Sequence, residues 1–308
     1  HVALGGRRYG DALIDGLRKI GRLRTGSLRV LEIGAGSGAL CEAAIERLIA
    51  EGDTVQWTII DISPALRAAQ IKRLSRFGDQ VRVVDGDAES LNLVDGSFDL
   101  VIANEMVGDL TSDRLGRGEL AKNSEQPSKR GLEKPALTLI SRYKLDCSDA
   151  PDPFWLNSGA IRLVERVAKL LAPDGVCWVS EFGHRDAWPV ESTQLDHAEV
   201  SIQFGLLAAV AKQCGLQTQI AEVGEVIGLD PEPLALVTTS TFFRNLRALA
   251  ASRGVELDKR AWTQQALVAQ LGAKLPAARV GNLRFVPIGE RVMGLRPPEF
   301  LALVATRG

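Results

Sequence analysis

The chain has 308 residues, 45% of them hydrophobic, and its 37 basic and 38 acidic side chains leave a net charge of −1. This is enough apolar sequence for a sizeable core in one large domain or two small ones. The charge balance removes any electrostatic case for nucleic acid or an anionic membrane as the main partner. No apolar run approaches membrane-spanning length, the first residues lack a signal-peptide core, and Cys41, Cys147, Cys177 and Cys214 show no Cys-x-x-Cys spacing. A cytoplasmic, reducing setting with no bound metal is therefore expected.

In chain order, residues 9–20 place Leu13, Leu17 and Ile20 on one helical face. SLRVLEI (27–33) is a predicted strand, and LCEAAIERLIAEG (40–52) an amphipathic helix closed by Gly52. TVQWTIID (54–61) is a second strand. The helix after it (63–78) has Ser63 as a cap, Pro64 in its first turn and Gly78 at its end. VRVVDGD (81–87) and FDLVIAN (98–104) are further strands. A helix over 157–175, a strand over 176–183, a helix over 204–215 and a final strand, FLALVAT (300–306), complete the pattern.

Near-continuous apolar strands alternating with helices predict an α/β fold, a mostly parallel Rossmann-like sheet covered on both faces, with the last strand antiparallel. Three segments break the rhythm. Residues 112–136 are charged, lack aromatics and read as a mobile surface loop. Residues 184–198 form a polar connection, and residues 224–297 hold extra helices. The expected organisation is a single domain over 1–308, with a core of about 9–111, 157–223 and 298–308. The insertions at 112–156 and 224–297 are then a lid or substrate region, with helices forming a cap.

The stretch VLEIGAGSGAL (30–40) carries the chemistry. A strand that breaks on alternating glycines makes room for a ligand against bare backbone, at the carboxyl edge of the sheet. Two cofactor classes compete. A dinucleotide needs Gly-x-Gly-x-x-Gly/Ala, and GAGSGA fits that pattern with Ala39 in the last place. S-adenosyl-L-methionine has no phosphate; it carries an ammonium and a sulfonium, so it gains from an acid beside the turn, and Glu32 supplies one. Asp61 at the end of the second strand suits a ribose diol in either class. Asp87 ends the third strand. Both acids also read as plain caps for the helices after them.

Glu-x-Gly-x-Gly-x-Gly over 32–38 resembles motif I of class I methyltransferases. That resemblance implies a cofactor set of Glu32, Gly34, Ala35, Gly36, Gly38, Asp61, Ile62, Asp87, Ala88 and Asn104, with S-adenosyl-L-homocysteine as product. VLEIGAGSGALC, WTIIDISPALRAAQIKRL, VIANEMVGDL, VCWVSEFGH and HAEVSIQFGLLAAVAKQCGL are similar to stretches of the MidA-like methyltransferases. Mitochondrial members of that family methylate a protein arginine during assembly of respiratory complex I. The chain departs from the family in the acceptor half. The family's Asp falls on Gly108, with Asp109 one place on; its Pro falls on Thr111, its His on Glu199, and its Asp-Tyr-Gly on Glu181, Phe182 and Gly183.

Methyl transfer from a sulfonium needs alignment, exclusion of water and, for most acceptors, removal of a proton. Glu105 is the expected acid, assisted by Glu181 or His184. The acceptor is a protein side chain of the arginine type or a small metabolite. Acids at Glu105, Asp109, Glu181 and Glu199 suit the first. Apolar side chains from PFWL (153–156) and TFF (241–243) suit a natural-product acceptor. Two rivals are a cofactor-binding assembly factor without turnover and a nicotinamide oxidoreductase. The second lacks a Tyr-x-x-x-Lys signature and has Glu32 against it.

Overall fold

The computed structural model describes residues 2–120, 135–194, 197–236, 240–257, 264–271, 285–287 and 299–308. Two compact units divide the chain: Gly10–Ile227 with Pro298–Gly308, and His1–Tyr9 with Gly228–Pro297. The division falls close to the insertion boundary expected at 224. Of the segment 112–136 read as a surface loop, residues 121–134 lie outside the described residues; so do the side chains of Thr241, Phe242 and Phe243.

The larger unit opens with α1 (Tyr9–Lys19), β1 (Ser27–Ile33), α2 (Ala39–Ala50), β2 (Thr54–Asp61), α3 (Pro64–Leu74), β3 (Val81–Asp85) and β4 (Phe98–Asn104). It continues with β5 (Asp113–Leu115), α4 (Pro135–Tyr143), β6 (Phe154–Leu156), α5 (Ser158–Leu170) and β7 (Leu171–His184). Next come the hairpin β8 (Glu191–Gln194) and β9 (His197–Val200), then β10 (Ile202–Gln203), α6 (Phe204–Gln213) and β11 (Leu216–Glu222). The smaller unit holds α8 (Ser240–Ala251), α9 (Gln264–Leu271) and the antiparallel pair β12 (Leu234–Leu236) and β13 (Phe285–Pro287); α7 (Val223–Val226) precedes it, and β14 (Glu299–Arg307) returns to the main sheet.

The main sheet runs β11-β14-β7-β4-β1-β2-β3, with β10 beside β7. β14 is antiparallel to both neighbours, while β1, β2, β3, β4 and β7 pair in parallel. The sheet is the mostly parallel Rossmann-like one expected, with the last strand reversed. Its order changes direction at β1, where open α/β sheets hold their ligands. The register brings the important ends to one edge: Ile33 opposite both Ile60 and Ala103, Asp61 opposite Asp85, Asn104 opposite Ser180. One face of this sheet is sealed by α5 and α6: Leu31, Ile33, Val101, Ala103 and Val179 join Ile161, Val164, Val167 and Leu207 in a single buried cluster. Each such side chain contributes about 1.5–3 kcal/mol on burial, so the strand ends sit on a rigid base.

Three boundaries differ from expectation. α5 ends at Leu170, not 175, because Pro173 cannot continue a helix and biases the residue before it toward extended backbone; β7 therefore starts at Leu171. β3 ends at Asp85, and Asp87 instead caps a short 3₁₀ turn, Ala88–Ser90, by accepting from the Glu89 amide at 2.9 Å. β11 is additional: LQTQIAE is an edge strand with only Leu216 and Ala221 buried, so it lacks the apolar run that marks the interior strands.

Candidate active site

The turn after β1 takes three left-handed glycines, Gly34 (φ 67°), Gly36 (φ 52°) and Gly38 (φ 77°). The Gly34 amide donates to the Ile60 carbonyl at 2.9 Å, and the Gly38 amide to that of Ala35 at 2.9 Å. A side chain on Gly34 would come within 3.1 Å of the Met106 Cβ, whereas one on Gly36 would meet nothing within 4 Å. Gly36 is thus required by its backbone angle and leaves bare peptide facing open space.

That space is a cavity of about 400 Å³, lined among others by Gly34, Gly36, Asp61, Ile62, Asp87, Ala88, Glu105 and Met106. Among the described residues its lining includes five carboxylates, Asp61, Asp87, Glu89, Glu105 and Asp109, and no Lys, Arg or His. A pyrophosphate would face repulsion there, while a cationic sulfonium or ammonium is favoured. Ile62 (69% exposed) and Leu66 (39% exposed) add an apolar wall suited to a flat base. The donor set therefore fits S-adenosyl-L-methionine and opposes a dinucleotide.

Asp61 is buried at the end of β2. Its Oδ1 accepts from the Ser63 amide at 2.9 Å and its Oδ2 from Gln70 Nε2 at 2.8 Å. The loop that carries Ile62 is held by Arg67, which donates to the carbonyls of Asp61 (2.9 Å) and Ile62 (3.0 Å) and to Asp85 (2.7 Å). Ser63 caps α3 by accepting from the Leu66 amide at 3.4 Å, as its sequence position predicts. Glu89 is fixed by Arg162 and by the Thr111 amide at 2.8 Å, and these partners hold its carboxyl below the usual range despite partial burial.

Glu32 is not among the lining residues. It is buried beneath the sheet edge, where Trp57 Nε1 donates to its Oε2 at 3.1 Å, and burial pushes its pKa up to about 8. Its hydrogen bond goes to the Trp57 indole, and burial favours its uncharged form. The folded state holds a proton that the unfolded state releases at about 4.5. Its stabilising share is therefore complete below that pH and is lost as pH rises toward about 8. Glu32→Gln keeps the shape without the proton, so its melting temperature is expected to overtake that of the wild type by a few degrees between pH 5 and 8.5. Calorimetric scans at several pH values check this; parallel curves for the two proteins would contradict it.

The acceptor side is built by the ends of β4 and β7. Trp178 Nε1 donates to Ser180 Oγ at 2.9 Å, and that hydroxyl donates to Asn104 Oδ1 at 2.8 Å. The Asn104 amide is thereby oriented with its Nδ2 toward Glu105 Oε1, 3.5 Å away. Glu105 has φ 51°, a left-handed conformation that costs a non-glycine residue about 1–2 kcal/mol. Its amide donates to the Ser180 carbonyl at 2.9 Å, which holds the turn in place. Burial and the charge of Glu199 raise the Glu105 pKa, while Asn104 opposes the rise.

Glu181 is buried behind this turn. Its Oε1 accepts from the Phe182 amide at 3.0 Å and its Oε2 from the Gly108 amide at 3.3 Å. Burial pushes its pKa up to about 7, with smaller contributions from Glu105 and Glu199. A side chain on Gly108 would begin 3.4 Å from Glu181 Oε2, so glycine at this position leaves Glu181 uncrowded. Glu105, Glu181 and Glu199 are thus brought together, and Asp109 joins Glu105 in the cavity lining. His184 is buried where β7 pairs with β10, opposite Gln203, and does not line the cavity; Ala35, Gly38 and Asn104 do not line it either. Sequence reasoning missed Glu89, which reads as one more acid in a polar turn. The sequence marks Gln70 only as the last residue of the Ser-Pro-x-Leu-x-x-x-Gln helix start that resembles the MidA-like family, with no role attached to it.

Among the described residues no helix is long and apolar enough to cross a membrane, and no group of His, Cys, Asp or Glu is arranged to hold a metal.

The sheet order, the glycine turn and the phosphate-averse cavity define a class I, S-adenosylmethionine-dependent methyltransferase fold, and residues 30–117 match the methyltransferase domain family. The chain is 37% identical over 94 residues to the ubiquinone/menaquinone biosynthesis C-methyltransferase of Methylobacterium nodulans, covering 30% of this chain and 35% of that one. It is 38% identical over 88 residues to a non-reducing polyketide synthase of Metarhizium robertsii, covering 26% of this chain and 4% of the synthase. The chain thus spans about a third or less of the length of these relatives. In fold it is similar to an uncharacterised protein from Burkholderia thailandensis, with a TM-score of 0.51 at 16% identity, covering 97% of this chain and 77% of that one.

Proposed function

We propose that the protein transfers a methyl group from S-adenosyl-L-methionine to an amine or guanidinium acceptor, on a protein side chain or a small metabolite. The observation that carries this reading is the acidic cavity lining, with Glu105 at the end of β4 and no Lys, Arg or His among the described lining residues, next to Glu181 on β7 and Glu199 on β9, whose charges both act on the Glu105–Glu181 neighbourhood. When bound, the cofactor supplies a methyl group already activated on a sulfonium. Asp61, on the cavity wall, accepts from the ribose hydroxyls, and Asp87 with the Ala88 amide faces the base. Glu105 holds the acceptor nitrogen and takes its proton, for which its raised pKa makes it a better base. Glu181 and Glu199 keep the neighbourhood negative, so the acceptor's charge is welcomed before transfer. The MidA-like resemblance supplies the arginine version of this reading. The match to a C-methyltransferase supplies a second, a carbon acid, whose proton the same carboxylate would take.

Incubation of the protein with methyl-labelled S-adenosyl-L-methionine and an extract of the source organism tests the proposal, with Glu105→Ala as control. Label in a protein band or in small amines, lost in the variant, is the expected result. Label in an apolar carbon skeleton would favour the carbon-acid reading. Cofactor binding without label anywhere would point to a non-catalytic assembly role.

A further inference from the structure

We infer that Gln70 is a positioning residue for the cofactor's ribose end, acting through Asp61; the inference rests on reading the cavity as a site for S-adenosyl-L-methionine. Gln70 lies on α3 and is fully buried, 0% exposed. Its Nε2 donates to Asp61 Oδ2 at 2.8 Å and to the Gly36 carbonyl at 2.9 Å. Both partners are pure acceptors, so the amide can meet them only with its NH₂ group. That orientation leaves Oε1 buried without a hydrogen-bond partner. A leucine would fill the same volume and leave no orphaned oxygen, so packing alone does not call for an amide here.

The two N–H bonds perform a task that packing does not. Gly36 lies in the loop after β1 and Asp61 at the end of β2, and Gln70 locks the two together. With Ser63 on Oδ1 and Gln70 on Oδ2, the Asp61 carboxylate cannot rotate, and each oxygen keeps an unused lone pair. An acid held this way accepts from two neighbouring hydroxyls without first losing its own freedom.

The test is titration calorimetry with S-adenosyl-L-homocysteine on wild type, Gln70→Leu, Asp61→Ala, the double variant and Gln70→Glu, each checked for folding by thermal melting. Gln70→Leu, which leaves two acceptors short of a donor, is expected to melt a few degrees below wild type but to stay folded at assay temperature, and to bind about tenfold more weakly. In the Asp61→Ala background the same change should add no more than about twofold, because the group it positions is gone. Gln70→Glu should bind worst near pH 8 and recover as pH falls toward 5, since the introduced carboxyl donates a hydrogen bond only when protonated. Gln70→Leu binding within twofold of wild type overturns the inference, as does a tenfold loss repeated in full without Asp61. A wild type that binds neither cofactor nor product would strike the cavity reading itself, and the role of Gln70 with it.

Discussion

Asp61→Ala is expected to raise the dissociation constant for S-adenosyl-L-methionine about a hundredfold. A carboxylate fixed by two donors at the cavity wall offers charge-assisted bonds to a diol, each worth about 1.5–3 kcal/mol, and two of them near the lower bound give that factor. Folding should be nearly untouched. Gln70 keeps its bond to the Gly36 carbonyl, and the Ser63 amide is left beside open space. Asp61→Asn retains one acceptor and no charge, so a loss of about tenfold is expected. Titration calorimetry measures both. Affinity within twofold of wild type in Asp61→Ala would remove Asp61 from the binding surface.

The cofactor half of this site is legible in the sequence because its signals are local. Gly34, Gly36 and Gly38 must be glycine for backbone reasons, and they follow a strand whose apolar run is unmistakable. Asp61 ends the next strand, and the parallel register carries it to the same edge. Glu32 shows where this reasoning fails. It stands in the right place along the chain, but its direction is set by the pleat, which turns it toward Trp57 on β2 and away from the cavity. His184 fails for a related reason: a strand end reads as exposed until β10 pairs beside it and buries it. The spacing Ser-Pro-x-Leu-x-x-x-Gln marks Gln70, but what it does depends on its contacts with Gly36 and Asp61, and the effect of Glu199 on Glu181 joins distant elements that no spacing announces. β11 is hidden differently, because half its side chains face solvent and its apolar content is low.

The acids that converge beyond the cavity predict a particular pH dependence. Burial pushes Glu181 up to about 7 and raises Glu105 from its ordinary value, and neighbouring negative charge adds to both shifts. A group that must be ionised to take a proton gives a turnover that rises with pH and levels off above its acidity constant. The acidic limb of kcat should therefore lie at higher pH than an unperturbed glutamate would give. Removing one negative charge makes it easier to ionise what remains. Glu181→Gln and Glu199→Gln are each expected to move the limb to lower pH, while Glu105→Gln should lower kcat by about 10²–10⁴ at every pH. Glu181→Gln keeps an acceptor for the Phe182 or Gly108 amide, so the turn between β4 and β5 should hold its shape. Steady-state rates from pH 5 to 9 with saturating cofactor provide the check. A limb that stays in place in both neighbours' variants would mean that Glu105 does not feel them, and a Glu105→Gln enzyme with full kcat would assign the proton to another group.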